Sequence, residues 1–174
     1  NSNELDVLAQ LYGTDKWGKH HYTPIYYDLF KDRRESVKKV IEMGIAEGAS
    51  LAMWNDFFPN AKIYGADIDP DRVTLELKFP RITVMSCDQS SHEDLIRLIN
   101  YTHTDIDLFI DDGSHKSSDQ IFTCFEIFPF LNKGAIYVIE DVAHPEVATY
   151  LHDFNPKIIE VGKRYDDRLI ICQK

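Results

Sequence analysis

The sequence is poor in cysteine and has no long hydrophobic run, and these two absences exclude several classes of protein. Its 174 residues include three cysteines, Cys87, Cys124 and Cys172, with no CxxC spacing. Because each lies in an apolar context, we expect reduced, buried thiols, and neither a disulfide framework nor a zinc site. No stretch approaches the ~20 apolar residues that a membrane span needs.

Positive charges are outnumbered by negative ones, and the first residues do not have the pattern of a signal peptide. Lysine and arginine number 19 against 29 acidic residues, a net charge of −10, so nucleic acid is a poor candidate partner. The N-terminus, NSNELDVLAQ, has neither a basic start nor an apolar run, and we expect a cytoplasmic protein. The missing initiator methionine favours a processed chain or a domain of something longer.

The chain does contain a regular alternation of strand and helix patterns, within the length of one domain. Strands are predicted over 37–44, 62–68, 81–87, 105–111 and 134–141, and helices over 48–58, 69–78, 91–100, 116–131 and 144–153. This pattern predicts an α/β fold with a mostly parallel, Rossmann-like sheet and helices on both faces. KIIEVG and RLIICQ add an antiparallel C-terminal hairpin. Residues 1–35, with a short helix ELDVLAQLY, form a predicted N-terminal cap segment beside a main domain over 36–174.

The turn after the first predicted strand reads EMGIAEG over residues 42–48. Gly44 and Gly48 allow a tight turn close to a ligand, and Glu42 precedes them. Ala46 stands where a dinucleotide-binding pattern has glycine, and Glu47 would repel a pyrophosphate at the helix start. A neutral or cationic adenosyl ligand fits these residues better, and a tight turn without a ligand is the alternative.

Acidic and amide side chains also follow the second and third predicted strands. Asp67 lies 23 residues after Gly44, near the ~20-residue offset at which a carboxylate binds ribose hydroxyls. Asp69 is better explained as a helix N-cap. Asp88 and Gln89 are predicted to contact the adenine end of the cofactor, with a helix-capping region as the alternative.

The fourth and fifth predicted strands end in IDDGSH and IED. Clustered carboxylates repel one another unless a cation lies among them, and oxygen ligands suit Mg²⁺ or Mn²⁺. We therefore predict a metal site at Asp112, Glu140 and Asp141, with Asp112 and His115 as the catalytic residues and His115 as the base. The alternatives are solvated acids, or pairing with Lys16, Lys116 or Arg164.

Four stretches together resemble a known family: YGTDKWGKHHYTPIY, GASLAMWNDFFPNAKIYGADIDP, FIDDGSH and YVIEDV. With the EMGIAEG turn, they are similar to class I S-adenosylmethionine-dependent methyltransferases. More narrowly they resemble the metal-dependent sugar O-methyltransferases of macrolide tailoring, a cephalosporin-hydroxylase-like group. The resemblance runs from about Tyr12 to Val142. It implies the same metal ligands and the same base, and a role for Tyr22 in closing the cofactor site.

The implied function is methyl transfer from S-adenosylmethionine to a sugar hydroxyl with Mg²⁺ or Mn²⁺ bound. The implied acceptor is a deoxysugar such as rhamnose in a glycan or glycoside. Ala46 replaces a family glycine, and the tailoring enzymes carry an N-terminal domain with no counterpart in these residues. A module of a larger glycan-synthesis protein and a homo-oligomer are both compatible with this. The alternatives are a catechol-type O-methyltransferase, a nicotinamide-dependent oxidoreductase and a non-catalytic glycan- or cofactor-binding domain.

Overall fold

Apolar side chains on both sides of the predicted strands require a sheet that is covered on both faces, and a computed structural model has that sheet. The structure describes residues 2–72 and 78–174. Seven strands lie in these ranges: Lys39–Met43 (β1), Lys62–Asp67 (β2), Ile82–Ser86 (β3), Ile106–Asp111 (β4), Leu131–Ile139 (β5), Lys157–Glu160 (β6) and Arg168–Gln173 (β7). The α-helices there are Glu4–Tyr12 (α1), Thr23–Phe30 (α2), Ala49–Phe57 (α3), His92–Thr102 (α4), Ser117–Ile127 (α5) and Val147–Tyr150 (α6).

The strand order creates a switch point between β1 and β4. The sheet runs β3-β2-β1-β4-β5-β7-β6, with β1 to β5 parallel and β7 antiparallel to both β5 and β6. From β1 the chain continues to β2 and β3 on one side, and later places β4 and β5 on the other. Ligands of open α/β sheets bind at the carboxyl ends of the strands beside such a point. Gly44, after β1, and Asp112, after β4, are therefore neighbours in this crevice.

Two apolar layers enclose the sheet. In β4, Leu108 and Ile110 belong to the layer that contains side chains of α1, α2 and α3. Phe109, between them, belongs to the opposite layer with side chains of α4, α5 and α6. This alternation follows from the pleat of the strand. The buried strands thereby fix where the polar residues at their carboxyl ends lie.

The predicted α/β fold with an antiparallel C-terminal pair is confirmed. The predicted helix over 116–131 ends earlier, at Ile127, and a 3-10 turn over Phe128–Phe130 follows it. Pro129 lies in that turn and has no N–H to continue the helix. The next strand, β5, therefore begins at Leu131 rather than at residue 134.

Two further predictions differ in extent from the structure, and one helix was not predicted. The helix over 144–153 is reduced to the four residues of α6 and a 3-10 turn over His152–Phe154. Of the helix over 69–78, the structure has a 3-10 turn over Pro70–Arg72, and residues 73–77 lie outside the described ranges. Helix α2, with Pro24 in its first turn, was not predicted.

Two expectations about composition can be compared with the described residues. Cys87, Cys124 and Cys172 are free and buried, as predicted. Within residues 2–72 and 78–174, none of the helices combines the length and the apolar character that crossing a bilayer requires.

Candidate active site

A cavity of about 1180 Å³ opens at the carboxyl ends of β1, β2, β4 and β5. Seven predicted site residues line it: Gly44, Asp67, Asp88, Gln89, Asp112, His115 and Asp141. Four others are not among the described residues of its wall: Tyr22, Glu42, Gly48 and Glu140. The sheet therefore brings most of the predicted positions to one crevice, and the remaining four support it from behind.

The turn after β1 is held against the loop after β4. Gly44 has a φ of +86°, and a Cβ there would lie 2.1 Å from the backbone oxygen of Asp112. Gly48, with a φ of +87°, is the N-cap residue of α3. Ala46 also has a positive φ, of 46°. The turn thus has the left-handed geometry that its glycines predict, and Gly44 allows two backbones to meet.

Glu42 is buried behind the turn and does not reach the cavity wall. It is 1% exposed. Its carboxylate accepts hydrogen bonds from the Ser50 hydroxyl at 2.8 Å and from Trp54 Nε1 at 2.7 Å, both on α3. This geometry ties α3 to β1. Direct contact of Glu42 with a cofactor stays a prediction, and the described contacts favour a supporting role.

Asp67, at the end of β2, lines the cavity beside the β1 turn. Its Oδ2 accepts the backbone N–H of Ile45 at 2.9 Å, and its Oδ1 accepts that of Asp69 at 2.9 Å. Each carboxylate oxygen has a second lone pair, so the pair of oxygens can still accept from a diol. Asp67 therefore fixes the turn and keeps the capacity to bind ribose hydroxyls.

Asp88 and Gln89 follow β3 and use their side chains differently. Asp88 Oδ1 accepts from the backbone N–H and the hydroxyl of Ser90, and these bonds hold the pKa of Asp88 below its usual value. Gln89 Oε1 accepts the Ser114 N–H at 2.7 Å, and its Nε2 donates to the Asp111 carboxylate at 3.2 Å. Gln89 thus binds the loop after β4, and its predicted contact with adenine stays a prediction.

Asp111 completes this support beneath the cavity. It is fully buried, and burial raises its pKa to about 6, although hydrogen bonds from Gly113 N and Gln89 favour the ionised form. The Gly113 N–H donates to Asp111 Oδ1 at 3.0 Å. A Cβ on Gly113 would lie 1.8 Å from Gln89 Oε1. The first residues of the loop are therefore held from below by a carboxylate and an amide.

Lys16 brings a buried ammonium into the acidic cluster. Its Nζ donates to both oxygens of Glu140, at 2.7 and 2.8 Å, and to Asp112 Oδ2 at 3.3 Å, and lies 3.4 Å from Glu42 Oε2. Burial by itself lowers the pKa of Lys16, but these carboxylates outweigh it and raise the pKa well above its usual value. The alternative that Lys16 pairs with an acid of the cluster is thus realised at two of the predicted metal ligands.

Asp112 and Asp141 form the outer part of the same cluster. Burial raises the pKa of Asp112 well above its usual value, against the nearby Lys16 ammonium. Burial also raises the pKa of Asp141, but hydrogen bonds from Asp112 and Tyr22 outweigh it and lower the pKa. Two carboxyl groups in contact need a proton or a cation between them. A divalent cation with oxygen ligands fits this donor set.

His115 lies at the mouth of the cluster with a φ of +66°. Its Nδ1 is 3.3 Å from Asp141 Oδ2. Ligand atoms of Asp112, His115 and Asp141 all lie within 4.8 Å of one another. The side chain is 46% exposed and lines the cavity. The predicted base and two predicted metal ligands are therefore adjacent.

The N-terminal segment forms the inner wall of this cluster. The Tyr22 hydroxyl donates to Asp141 Oδ1 at 2.6 Å, and the Tyr26 hydroxyl donates to Glu140 Oε2. His20 stacks on Tyr22 and bridges two carboxylates, with Nδ1 2.9 Å from Asp167 and Nε2 3.4 Å from Asp141. Residues 16–26 thus supply side chains beneath the carboxylates as well as part of the cavity rim.

Sequence reasoning missed His20 and Tyr26, and named Lys16 only as an alternative partner. A signal for Lys16 was present, because several adjacent carboxylates need a cation among them and Lys16 lies in the segment predicted to cap the site. Tyr26 follows Tyr22 by one helical turn, so both hydroxyls reach the same cluster. Recognising either residue required knowing that the segment before β1 folds under the carboxyl ends of the strands.

Comparisons with known proteins were made by sequence and by structure. No protein-family model matches the chain. It is 37% identical over 145 residues to the 8-demethyl-8-alpha-L-rhamnosyl tetracenomycin-C 2'-O-methyltransferase of Streptomyces olivaceus, covering 79% of this chain and 37% of that protein. It is 36% identical over 147 residues to the mycinamicin VI 2''-O-methyltransferase of Micromonospora griseorubida, covering 80% and 36%. The chain spans little more than a third of the length of these curated relatives.

Among solved structures, the chain is similar to the MycE methyltransferase from the mycinamycin biosynthetic pathway, in complex with Mg, SAH and mycinamycin VI. The TM-score is 0.80 with 27% identity, over 99% of this chain and 54% of that chain. The N-methyltransferase NodS from Bradyrhizobium japonicum, in complex with SAH, has a TM-score of 0.57 at 15% identity, which is a likeness of fold alone.

Proposed function

Since this chain belongs to the class I methyltransferases, we propose that it transfers a methyl group from S-adenosylmethionine to a sugar hydroxyl in a reaction that requires Mg²⁺ or Mn²⁺. One observation carries the proposal: Asp112, Asp141 and His115 meet within 4.8 Å at the switch point of the sheet. One relative named above is a methyltransferase of a rhamnosyl tetracenomycin-C, which supports a sugar or glycoside acceptor such as a rhamnoside. Membership of a larger glycan-synthesis protein, and homo-oligomer formation, stay predictions.

The cofactor is proposed to lie along the carboxyl ends of β1, β2 and β3. Gly44 allows close approach of the backbone, because no side chain projects there. Asp67 accepts from the ribose hydroxyls with the lone pairs that Ile45 and Asp69 leave free. Asp88 borders the adenine end. Gly48 and Glu42 hold the turn and α3 in place behind it.

The metal is proposed to bind Asp112, Glu140 and Asp141. Ligand oxygens of Asp112 and Asp141 lie within 4.8 Å of each other, and a cation between them would relieve the repulsion of the two carboxylates. Glu140 Oε2 accepts from both Lys16 and Tyr26, whereas Oε1 accepts from Lys16. A carboxylate oxygen has two lone pairs, so Oε1 retains one for a metal. The residues present therefore fit a hard divalent cation.

His115 is proposed as the base. Because its Nδ1 lies against Asp141, an Nδ1–H directed at that carboxylate leaves Nε2 as the atom that accepts the hydroxyl proton. S-adenosylmethionine supplies an electrophilic methyl group, and a divalent cation lowers the pKa of an acceptor hydroxyl. Asp112, Glu140 and Asp141 would hold the cation beside the acceptor, and His115 would take the hydroxyl proton. The acceptor oxygen would bond to the methyl group as its bond to sulfur breaks, and S-adenosylhomocysteine would leave.

The polar character of the cavity favours a sugar over an aromatic diol. Of the described residues that line it, Tyr165 is the only phenylalanine, tryptophan or tyrosine. A catechol-type acceptor needs apolar or aromatic walls for its ring, whereas sugar hydroxyls need donors and acceptors. The described cavity wall offers several carboxylates and hydroxyls that can bind sugar hydroxyls.

The direct test is mass spectrometry of acceptors incubated with the protein and S-adenosylmethionine. The panel contains rhamnosides and olivosides of antibiotic aglycones, simple methyl glycosides and catechol, each with Mg²⁺, with Mn²⁺ or with EDTA. We expect a gain of one methyl group on a sugar, lost in EDTA and restored by excess metal. Undiminished methylation in EDTA would contradict the metal requirement, and methylation of catechol alone would contradict the sugar acceptor.

A further inference from the structure

The buried ammonium of Lys16 has no assigned role in methyl transfer, yet it has the densest set of charged contacts in the described part of the chain. Three carboxylates from three different strand ends surround it: Glu42 near the end of β1, Asp112 after β4 and Glu140 after β5. Lys16 is 1% exposed, Glu42 is 1% exposed and Glu140 is 2% exposed. Charges this deeply buried are tolerated when they are paired and hydrogen-bonded.

The contacts divide the acidic cluster into two parts. The inner pair, Glu42 and Glu140, is directed at Lys16 and at donors of the protein, namely Ser50, Trp54 and Tyr26. The outer pair, Asp112 and Asp141, lines the cavity, where a cation can enter. Asp112 belongs to both parts through its Oδ2 contact with Lys16, at 3.3 Å. The chain itself therefore supplies one positive charge to the inner pair.

We propose that Lys16 is a positioning residue, a counter-cation carried by the chain that offsets one of the two negative charges of the inner pair and holds both carboxylates, so that less negative charge is left for the divalent metal to compensate. The proposal rests on the proposed function, because it assumes the metal site described there. Lys16 thereby keeps Glu140 and Asp112 together in the metal-free protein.

The segment around Lys16 is built to hold this ammonium in place. The Lys16 carbonyl oxygen accepts the Tyr22 N–H at 3.0 Å and the Thr23 N–H at 3.4 Å, at the start of α2. The same turn delivers the Tyr22 and Tyr26 hydroxyls to Asp141 and Glu140. A compact ammonium with three donors matches three converging carboxylates, whereas a planar guanidinium does not.

Removal of Lys16 has two consequences that can be measured separately. Without metal, the inner pair loses its partner, and breaking a buried ion pair is strongly destabilising. With metal, the cluster has one more uncompensated negative charge, so it binds a divalent cation more tightly. Because a ligand stabilises the folded state according to its concentration over its Kd, the metal should stabilise this variant more than the wild type.

The test compares melting temperatures of wild type, Lys16→Met and Lys31→Met in EDTA and in excess Mg²⁺. Lys31 is a matched control, since it is 45% exposed and lies 3.8 Å from Asp28. In EDTA we expect Lys16→Met to melt roughly 10 °C below the wild type. The rise on adding Mg²⁺ should be larger for Lys16→Met than for the wild type, and Lys31→Met should behave as wild type.

If Lys16 only stabilised the fold, Lys16→Met would lower the melting temperature equally in EDTA and in Mg²⁺. The rise in melting temperature on adding Mg²⁺ would then be the same as in the wild type. That pattern would overturn the proposal. Lys16→Arg should retain part of the EDTA stability, because it keeps the charge but not the fit. If Lys16→Met fails to fold, the proposal is tested on the double variant Lys16→Met with Glu42→Gln. This variant removes one charge of each sign, so it leaves no additional unpaired charge in the cluster.

The double variant should fold and, in EDTA, recover part of the melting temperature that Lys16→Met loses. A double variant no more stable than Lys16→Met would overturn the proposal. If Mg²⁺ leaves the wild-type melting temperature unchanged, the proposed metal site fails instead. The pairing of Lys16 with the inner carboxylates is then tested only by the melting temperature of the double variant in EDTA. A failure of the metal site can therefore be distinguished from a failure of the Lys16 pairing.

Discussion

His115 occupies a backbone conformation that histidine seldom adopts, with a φ of +66°. Such strain persists where the surroundings determine it, and here the loop is held below by Asp111 and Gln89. The result is a half-exposed imidazole at the cavity wall whose Nδ1 lies against Asp141. At the scale of the residue, this orientation is what a base needs.

Replacing His115 with alanine should therefore lower kcat by roughly 10² to 10⁴, the usual contribution of a positioned general base. Steady-state methylation kinetics of the two proteins at one pH measure this loss.

A matched control is His103→Ala, since His103 is exposed and has a similar φ of +64°. It should retain the wild-type rate. The Mg²⁺-induced rise in melting temperature should survive in His115→Ala if the imidazole is a base. Loss of that rise would make His115 a metal ligand instead, and a near-wild-type rate in folded His115→Ala would contradict the catalytic role.

Between elements, the decisive contact joins the turn after β1 to the loop after β4. Gly44 has a φ of +86°, and its Cα lies against the Asp112 carbonyl. The Asp112 N–H also donates to the Met43 carbonyl at 2.8 Å, so the ladder between β1 and β4 continues to this point. The cofactor turn and the metal-binding loop are consequently positioned by each other.

Gly44→Ala should lower the free energy of unfolding by roughly 2–5 kcal/mol, because backbone strain and overpacking add. Gly134→Ala separates the two causes, since Gly134 has a φ of +83° and no described atom within 4 Å of a Cβ. Gly134→Ala should lower the free energy of unfolding only by the cost of backbone strain, about 1–2 kcal/mol. Urea denaturation of both variants measures this, and equal losses would mean that the contact with Asp112 relaxes freely.

At the scale of the whole molecule, the reactivity of the three cysteines can show whether one layer of the core unfolds as a unit. All three belong to the layer that α4, α5 and α6 cover. Cys87 is 1% exposed although it borders the cavity, and burial raises the pKa of its thiol to about 12. At pH 8 such a thiol is ionised to roughly one part in 10⁴, and the thiolate is the reactive form.

Iodoacetamide at pH 8 should therefore modify the native protein very slowly. In urea, all three thiols should be alkylated together as the protein unfolds, because burial protects each of them until the core opens. Intact mass spectrometry over time counts the modified thiols. Rapid modification of Cys87 alone in the native protein would contradict this expectation, because it would require the cavity wall beside β3 to open separately.

The sequence by itself determined the layered α/β fold, because apolar strands alternating with helices can be buried in few other ways. It also placed Asp67, Asp112 and Asp141 at one edge of the sheet, since parallel strands end together. These inferences depend on local periodicity and on chain direction. Element ends were less certain, as at Pro129, where the helix stops and β5 begins early.

Only the tertiary structure decided which partner each polar side chain at that edge of the sheet binds. Gln89 binds the loop after β4, and Lys16 joins carboxylates from three strand ends, because neighbours distant in the chain compete for each polar atom. Such competition depends on ångström-scale distances that periodicity does not contain. The sequence therefore determined which acids gather at the crevice, and tertiary packing decided which of them face a buried ammonium and which line the cavity.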